Sequence, residues 1–489
     1  MHHYVSEVFM DRLSELPDSI IFHIFWLLPI TNVVRTTILS KRWENLWTST
    51  PYLNLYHDWE VVGVYEDESI QEHRNFLNRA LLCWNGVRLL KFKFDSENEP
   101  YLSIYTDIDL WVGFAKHNRA EELYLHIQQF DTYVCNCDEL NDAIYLVPQC
   151  LYSCSSLKVL SIKSCYFRIK GSVQWNHLKS LTIIDGYGVN GDVVNQILCG
   201  SPQLEVLIMP VVESGKSLCI RSTSLKELSI NKHIDDKSTS KTELRIWTPN
   251  LETLETDGLA YSTCLLMNVS SLNCATFGYS DLHRSNEKYC DGCSGGVDGY
   301  SSTNHFLGDL FGQTLPSIQH VENVTLLPCC LKVLGAMIEG CMNSSSPNVK
   351  LLQFRFYYTN VDGVFEIFPL SKKLVVKVTE SGISKDAQGT DPNIYLEFEV
   401  NLPTSFVLQL RTVEVILVGE GDNIFPFLEF LLRNASKLEK IVFRVKGFTR
   451  LSRPSESLLR ASQRLLKMPR SSRTAHFTFY AHFTPYCCG

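Results

Sequence analysis

Cys290 and Cys293 stand at the C-x-x-C spacing, at which two thiolates can share one tetrahedral zinc ion. Four-coordinate zinc needs a second pair. The chain offers no other C-x-x-C and no H-x-x-x-H, the interval from Cys135 to Cys137 is too tight, and His283 alone does not complete a set. No metal is therefore expected. Gly292-Cys-Ser294-Gly-Gly296 fits G-x-S-x-G, whose serine becomes a nucleophile only on a turn from strand to helix. Neither pattern flanks it. No His or Asn can be placed beside Cys293 to activate a thiolate. The enzymatic alternative is a hydrolase using Cys293 or Ser294. A phosphate loop, an H-E-x-x-H helix and a dinucleotide-binding glycine string are all missing. Glu121-Glu122 adjoins an expected strand and reads as a solvated pair. Neither catalysis nor a cofactor is expected.

The elements around these strings explain why they carry so little. Residues 279–310 are polar and rich in Gly, Ser and Asp, so they read as a loop inserted between regular elements. The whole chain has 489 residues and a formal charge of −8. That balance gives no basic footprint for nucleic acid. The N-terminal MHHYVSEVFMDRL lacks the basic and apolar regions of a secretion signal. The most apolar stretch, Ile20 to Ile30, is broken by His23 and Pro29 and is too short to span a bilayer. A nuclear or cytoplasmic protein with no membrane span is expected. The 17 cysteines are odd in number, and Cys83, Cys165, Cys199 and Cys274 lie in apolar runs. They read as reduced, buried, small apolar residues.

Regular structure begins near residue 17. Ile20, Ile21, Ile24, Phe25, Leu27 and Leu28 recur mostly at three and four residues, the spacing of an amphipathic helix. Pro17 suits its start and Pro29 ends it. Thr31 is the expected N-cap of a second helix holding Val33, Val34, Ile38 and Leu39. Ser40 is that of a third, with Trp43, Leu46 and Trp47. Three helices in so few residues cannot bury this much apolar surface alone, so part of it must meet the rest of the chain or a partner. The ordered strings Leu16-Pro17, Leu39-Ser40-Lys41-Arg42-Trp43 and Leu46-Trp47 resemble the F-box, which docks on the Skp-family adaptor of an SCF ubiquitin ligase. The resemblance implies docking through Leu16, Pro17, Ile20, Ile24, Leu28, Val34, Leu39, Ser40, Trp43 and Leu46. Some of these must form the module's own core, and spacing does not divide Trp43 and Ile24 between the two roles. Lys41-Arg42 reads as the solvated side of the third helix.

An internal repeat follows. Leu157-x-x-Leu160-x-Ile162 returns from Leu178, Leu204, Leu225, Leu251 and Leu272, at intervals of 21, 26, 21, 26 and 21 residues. Degenerate copies begin at Val87, Ala120, Val321 and Val349. The period and the LxxLxL core match the leucine-rich repeat. In each copy the last two apolar positions face one side of a short strand, and stacked parallel strands share a core that needs caps. The helical spacing of Ile70, Phe76, Leu77, Ala80 and Leu81 suggests the N-terminal cap. The alternate positions face the inner curve: Val159, Ser161 and Lys163; Ser180, Thr182 and Ile184; Val206 and Ile208; Glu227, Ser229 and Asn231; Thr253, Glu255 and Asp257. These are the candidate target-binding residues, on a face apolar at one end and acidic at the other.

Leu410-x-x-Val413-x-Val415 and Leu438-x-x-Ile441-x-Phe443 flank an apolar helix from Asn423 to Asn434. With Leu465-Leu466-Lys467-Met468-Pro469-Arg470 they resemble the FBD domain, which accompanies F-box and leucine-rich segments in a large plant family. The expected fold is α/β: a three-helix F-box at 10–55, a helical linker and cap at 56–84, irregular leucine-rich repeats at 85–400 and an FBD unit at 401–482. In the repeats the parallel strands lie on the concave face, with helices and loops outside. The resemblance implies a non-catalytic substrate receptor of a ubiquitin ligase, held by the adaptor to a cullin and a RING protein. Its alternative is a leucine-rich scaffold whose F-box serves another complex.

Overall fold

A computed structural model of the protein describes residues 13, 15–57, 67–86, 88–96, 105–127, 144–212, 217–231, 243–256, 263–277, 314–326, 349–356, 371–379, 404–418, 424–446 and 454–482. The C-x-x-C and G-x-S-x-G strings and Asp257 lie outside them. The chain forms two compact units, 1–210 and 211–489.

The first unit opens with three short helices, α1 (Asp18–Leu27), α2 (Ile30–Arg35) and α3 (Lys41–Leu46). Six strands follow: β1 (Tyr52–His57), β2 (Lys91–Ser96), β3 (Glu122–Ile127), β4 (Val159–Lys163), β5 (Ser180–Ile184) and β6 (Val206–Pro210). Each pairs in parallel with the next. The register aligns Leu53, Phe92, Leu123, Leu160, Leu181 and Leu207 in one row. Leu55, Phe94, Leu125, Ile162 and Ile183 form the next. Both rows are buried, so stacking gives each repeat the core it cannot build alone. Helices α4 (Asp67–Cys83), α5 (Tyr105–His117), α6 (Gln149–Tyr152) and α7 (Gly191–Gly200) return the chain between strands. On α5, Trp111 meets Phe94 with ring centroids 5.2 Å apart, placing that helix on the core side.

Two expectations change here. The sheet begins at Tyr52, inside the segment read as belonging to the helical module, so α4 connects two strands. The copy read from Val87 is shifted: Leu89, Phe92 and Phe94 are buried while Leu90 is half-exposed. Burial alternates along β2, and only the Phe92 and Phe94 register continues the rows of β1 and β3.

The second unit contains a nine-stranded parallel sheet: β8 (Glu227–Asn231), β10 (Thr253–Thr256), β12 (Cys274–Phe277), β13 (Asn323–Leu326), β14 (Leu351–Phe356), β15 (Lys373–Thr379), β16 (Thr412–Val418), β17 (Lys440–Lys446) and β18 (His476–His482). Leu228, Leu254, Ala275, Val324, Leu352, Leu374, Val413 and Ile441 form one buried row. Ser371-x-x-Leu374-x-Val376 is a further copy. Its serine is hidden because the hydroxyl donates to the Val349 carbonyl at 3.2 Å, which satisfies it. Three helices accompany the last strands: α8 (Thr404–Gln409), α9 (Phe425–Asn434) and α10 (Pro454–Lys467).

Between the inner strands run three others: β7 (Ser217–Arg221), β9 (Glu243–Trp247) and β11 (Thr263–Met267). They form their own parallel sheet, with Leu218, Ile220, Leu244, Ile246, Cys264 and Leu266 buried. These segments alternate buried and exposed residues at a period of two, so strands join the helices and loops as connections between repeats. The fold is α/β and solenoid-like in its strand-per-repeat order. Among the described residues no helix is long and apolar enough to cross a membrane, and no cluster of His, Cys, Asp and Glu is placed to hold a metal.

The cysteines divide. Cys154, Cys165 and Cys264 are buried, and burial pushes the Cys264 thiol up to about 12. Cys83 and Cys199 are exposed and Cys274 is half-buried, against the expectation, because the first two end helix faces turned to water.

Burial also lowers the His73 pKa from its ordinary 6.5 to about 4. Between those two values the unfolded chain binds a proton that the folded one refuses. Stability therefore falls as pH drops through this window and falls no further below it. His73→Gln is expected to flatten that part of the pH profile in denaturant titrations. The slope from His126, whose pKa burial also lowers, stays in the variant. An identical profile for variant and parent would remove His73 from the account.

Candidate functional site

The first three helices show which apolar residues hold the module and which stay outside. Pro17 and Pro29 occupy the N-cap positions of α1 and α2, with backbones already extended. Thr31 was the expected cap of α2, but the helix starts at Ile30, since proline's fixed φ suits the position where no intrahelical N–H is required. Ser40 stands at the N-cap of α3 as expected. Arg42 pairs with Asp18, tying α3 to the first turn of α1. Ile21, Phe25, Ile30, Val33, Trp43 and Trp47 are buried. Phe25 and Trp43 meet edge to face, 5.5 Å between centroids, a preferred aromatic geometry.

Trp43 is 2% exposed, so of the two roles that spacing left open it takes that of core. The other named positions keep surface. Pro17, Ile20 and Leu39 are exposed; Leu16, Ile24, Leu28, Val34, Ser40 and Leu46 are half-exposed. Two residues outside the expected set are more exposed than Ile20 and Leu39. Leu27 is 77% and Ile38 is 86% exposed. Ile20, Ile24 and Leu27 follow at four and three residues, so they share one face of α1. That spacing was the available signal for Leu27.

A second side of α1 is occupied. Trp26 lies 6.2 Å from Tyr52 and 6.0 Å from Tyr124, ring to ring, and the Lys91 ammonium sits 5.6 Å above it. Asn54 donates from Nδ2 to the Trp26 carbonyl at 3.4 Å, and His23 stacks on Tyr52 at 5.5 Å. Tyr52, Asn54, Lys91 and Tyr124 project from the sheet side opposite the core rows. The helices are thus seated on the first three strands yet not sealed against them, since the Ile20–Leu27 edge remains in water.

Within each unit, the described candidate residues lie on the sheet side opposite that unit's core row. In the first unit Val159 pairs with Ser180 and Ser180 with Val206; Ser161 pairs with Thr182 and Thr182 with Ile208; Lys163 pairs with Ile184. In the second, Glu227 pairs with Thr253 and Ser229 with Glu255. Asn231 follows at the end of β8. Ser161 and Ser229 are buried, which corrects their expected exposure. Ser161 bonds His126 Nε2 at 2.8 Å and Ser229 donates to Glu255 at 3.2 Å, so neighbouring side chains cover both. Asp95 sits beside His126 in the register. This Ser, His and Asp grouping resembles a hydrolytic triad only in residue types. Amides along β4 are committed to ladders with β3 and β5, leaving no donors for an oxyanion.

Comparison with known proteins agrees with the division into helices and repeats. Residues 13–54 match the F-box domain, and 108–276 match the leucine-rich repeats of "FBD-associated F-box protein At5g56370". The chain thus carries an F-box followed by leucine-rich repeats. It is 25% identical to the Arabidopsis thaliana F-box/LRR-repeat protein At3g03360 over 462 residues, covering 90% of this chain and 85% of that one. It is 27% identical to the F-box/FBD/LRR-repeat protein At1g13780 of the same plant, over 89% and 91% of the two chains.

The F-box match runs from the exposed Leu13 to Asn54 in β1. It therefore includes the residues by which the F-box is seated on the repeats, Trp26 with Tyr52 and Asn54. No periodic pattern links Trp26 to Tyr124, nearly a hundred residues later.

Proposed function

We propose that the protein is the substrate-recognition subunit of an SCF-type E3 ubiquitin ligase. One observation carries this: the F-box buries its own core yet leaves Ile20, Leu27, Ile38 and Leu39 in water. Exposed apolar side chains of this size, grouped on one short module, are the anchors of a protein interface. A Skp-family adaptor is the partner that fits an F-box. Leu16, Pro17, Ile24, Leu28, Val34 and Leu46 complete its contact set, while Trp43 and Ser40 position the helices.

On this reading the subunit performs no bond chemistry. It holds a target lysine near ubiquitin carried by the ligase's E2, converting a bimolecular encounter into an almost intramolecular one. The target is bound by the half-exposed residues of the strand face, with an F-box at 10–55, repeats that begin at β1, include α4 as a connection and run to residue 400, and an FBD unit at 401–482. Support comes from the family match and from β16–β18 continuing the sheet with α8–α10.

The full chain, co-expressed with an Skp-family adaptor and cullin–RING, should co-purify with all of them. Capture of the adaptor without cullin would favour the scaffold alternative. Failure to capture the adaptor would end the proposal.

A further inference from the structure

The end of the second unit is charged against the rest of the chain. Residues 440–473 hold ten Lys and Arg and one acid, Glu456, in a protein of formal charge −8. Arg460, Arg464 and Lys467 recur on α10 at four and three residues and share one exposed stripe. Ala461 and Leu465 hold the buried side. Arg470 and Arg473, both exposed, follow before β18.

Three guanidiniums here lie over aromatic rings. Arg464 covers Phe425 at 4.3 Å, Arg470 covers Phe477 at 4.5 Å, and Arg444 covers Tyr480 at 4.4 Å. Stacking restrains the plane of the guanidinium and leaves its N–H donors at the edge. A group restrained in advance loses less freedom when it binds. One of the three already shows what such an edge takes. Arg444 donates from Nε to Glu414 at 2.7 Å, and Lys373 approaches the same carboxylate at 3.3 Å. Burial alone would raise the pKa of Glu414, but the bonds from Arg444 and Lys373 outweigh it and hold it low.

We propose that Arg460, Arg464, Lys467, Arg470 and Arg473 form a docking surface for a short acidic segment of a partner protein, bound through Asp and Glu carboxylates. The stripe from Arg460 to Lys467 spans about 10 Å of helix, the reach of roughly three extended residues. Nucleic acid fits less well. Phe425, Phe477 and Tyr480, the rings that would stack bases, are each covered by an arginine. The negative charge of the whole protein also repels a long polyanion. The surface is independent of adaptor docking.

Fluorescence anisotropy of a dye-labelled Glu-Ser repeat peptide with the full chain tests this. The peptide should bind, a Gln-Ser peptide should not, and binding should weaken steeply with salt. Arg464→Glu with Lys467→Glu should lower affinity about tenfold or more. Arg464→Lys, which keeps the charge and loses the flat stack, should fall between. Equal binding of the Glu and Gln peptides overturns the proposal. So does unchanged binding by the charge-reversed protein with a parental melting curve. A single-stranded oligonucleotide of equal charge that displaces the peptide at lower concentration would assign the surface to nucleic acid instead.

Discussion

Leu27→Lys combined with Ile38→Lys is expected to weaken capture of the Skp-family adaptor by about a hundredfold or more. Truncating a central interface anchor costs about 2 kcal/mol or more, and a factor of ten corresponds to about 1.4 kcal/mol. A lysine at either position also carries a charge into the contact, adding a desolvation cost. Folding should hardly notice, because both side chains already face water, and surface changes usually stay within about 0.5 kcal/mol. Leu27 ends α1, where a positive charge meets the favourable end of the helix dipole. Trp43→Ala makes the contrast. It removes a buried ring that packs on Phe25, and should cost about 3–5 kcal/mol of stability. Its loss of capture should therefore follow its melting curve, whereas that of the lysine pair should not. Interferometry against immobilised adaptor, with melting curves alongside, separates the two. Full binding by the Leu27 and Ile38 variant would show that this edge is not the docking edge.

The chain showed its repeats plainly because each copy offers one register. Leu157, Leu160 and Ile162 cannot be shifted without turning polar residues inward. The segment from Val87 to Phe94 has apolar residues at several overlapping intervals, so two registers compete and only neighbouring strands decide between them. β7, β9 and β11 are not legible in the sequence for a related reason. Strings such as Ser217–Arg221 contain too few alternations to stand out, and they fall in gaps assigned to connections. In the F-box, periodicity identified α1 but could not apportion its faces. Two faces are covered, that of Phe25 by Trp43 and that of Trp26 by the sheet. Which leucine of Leu27 and Leu28 stays outside depends on both covers together. Trp43 has the size and type of an interface anchor, and only its contact with Phe25 shows it to be core.

Asp107→Ala is expected to destabilise the first unit by about 3 kcal/mol, the lower end of the range for breaking a buried ion pair. Asp107 is buried in the first turn of α5. It accepts from Arg74 Nε at 2.8 Å, from the Arg74 Nη2 edge, and from Asn78 Nδ2 at 3.0 Å. Asn78 in turn accepts from Trp111 Nε1 at 2.8 Å. Removing the carboxylate strands the Arg74 charge and unties Asn78, so the cost exceeds the value of any single bond. The lower end applies because the Arg74 side chain retains 19% of its exposure and water can reach it. Arg74→Met with Asp107→Leu should recover much of the loss, since replacing both charges with apolar groups leaves nothing unpaired. Hydrogen exchange along α4 and α5 is the suitable measurement, because opening there can precede global unfolding. Parental protection in Asp107→Ala would mean that the network adds nothing. The effect should also reach the F-box. α4 and α5 join β1, β2 and β3, and those strands carry Tyr52, Lys91 and Tyr124 around Trp26. A looser pair of helices leaves Trp26 on a less fixed seat, and adaptor capture then persists while the orientation of the repeats towards it is lost.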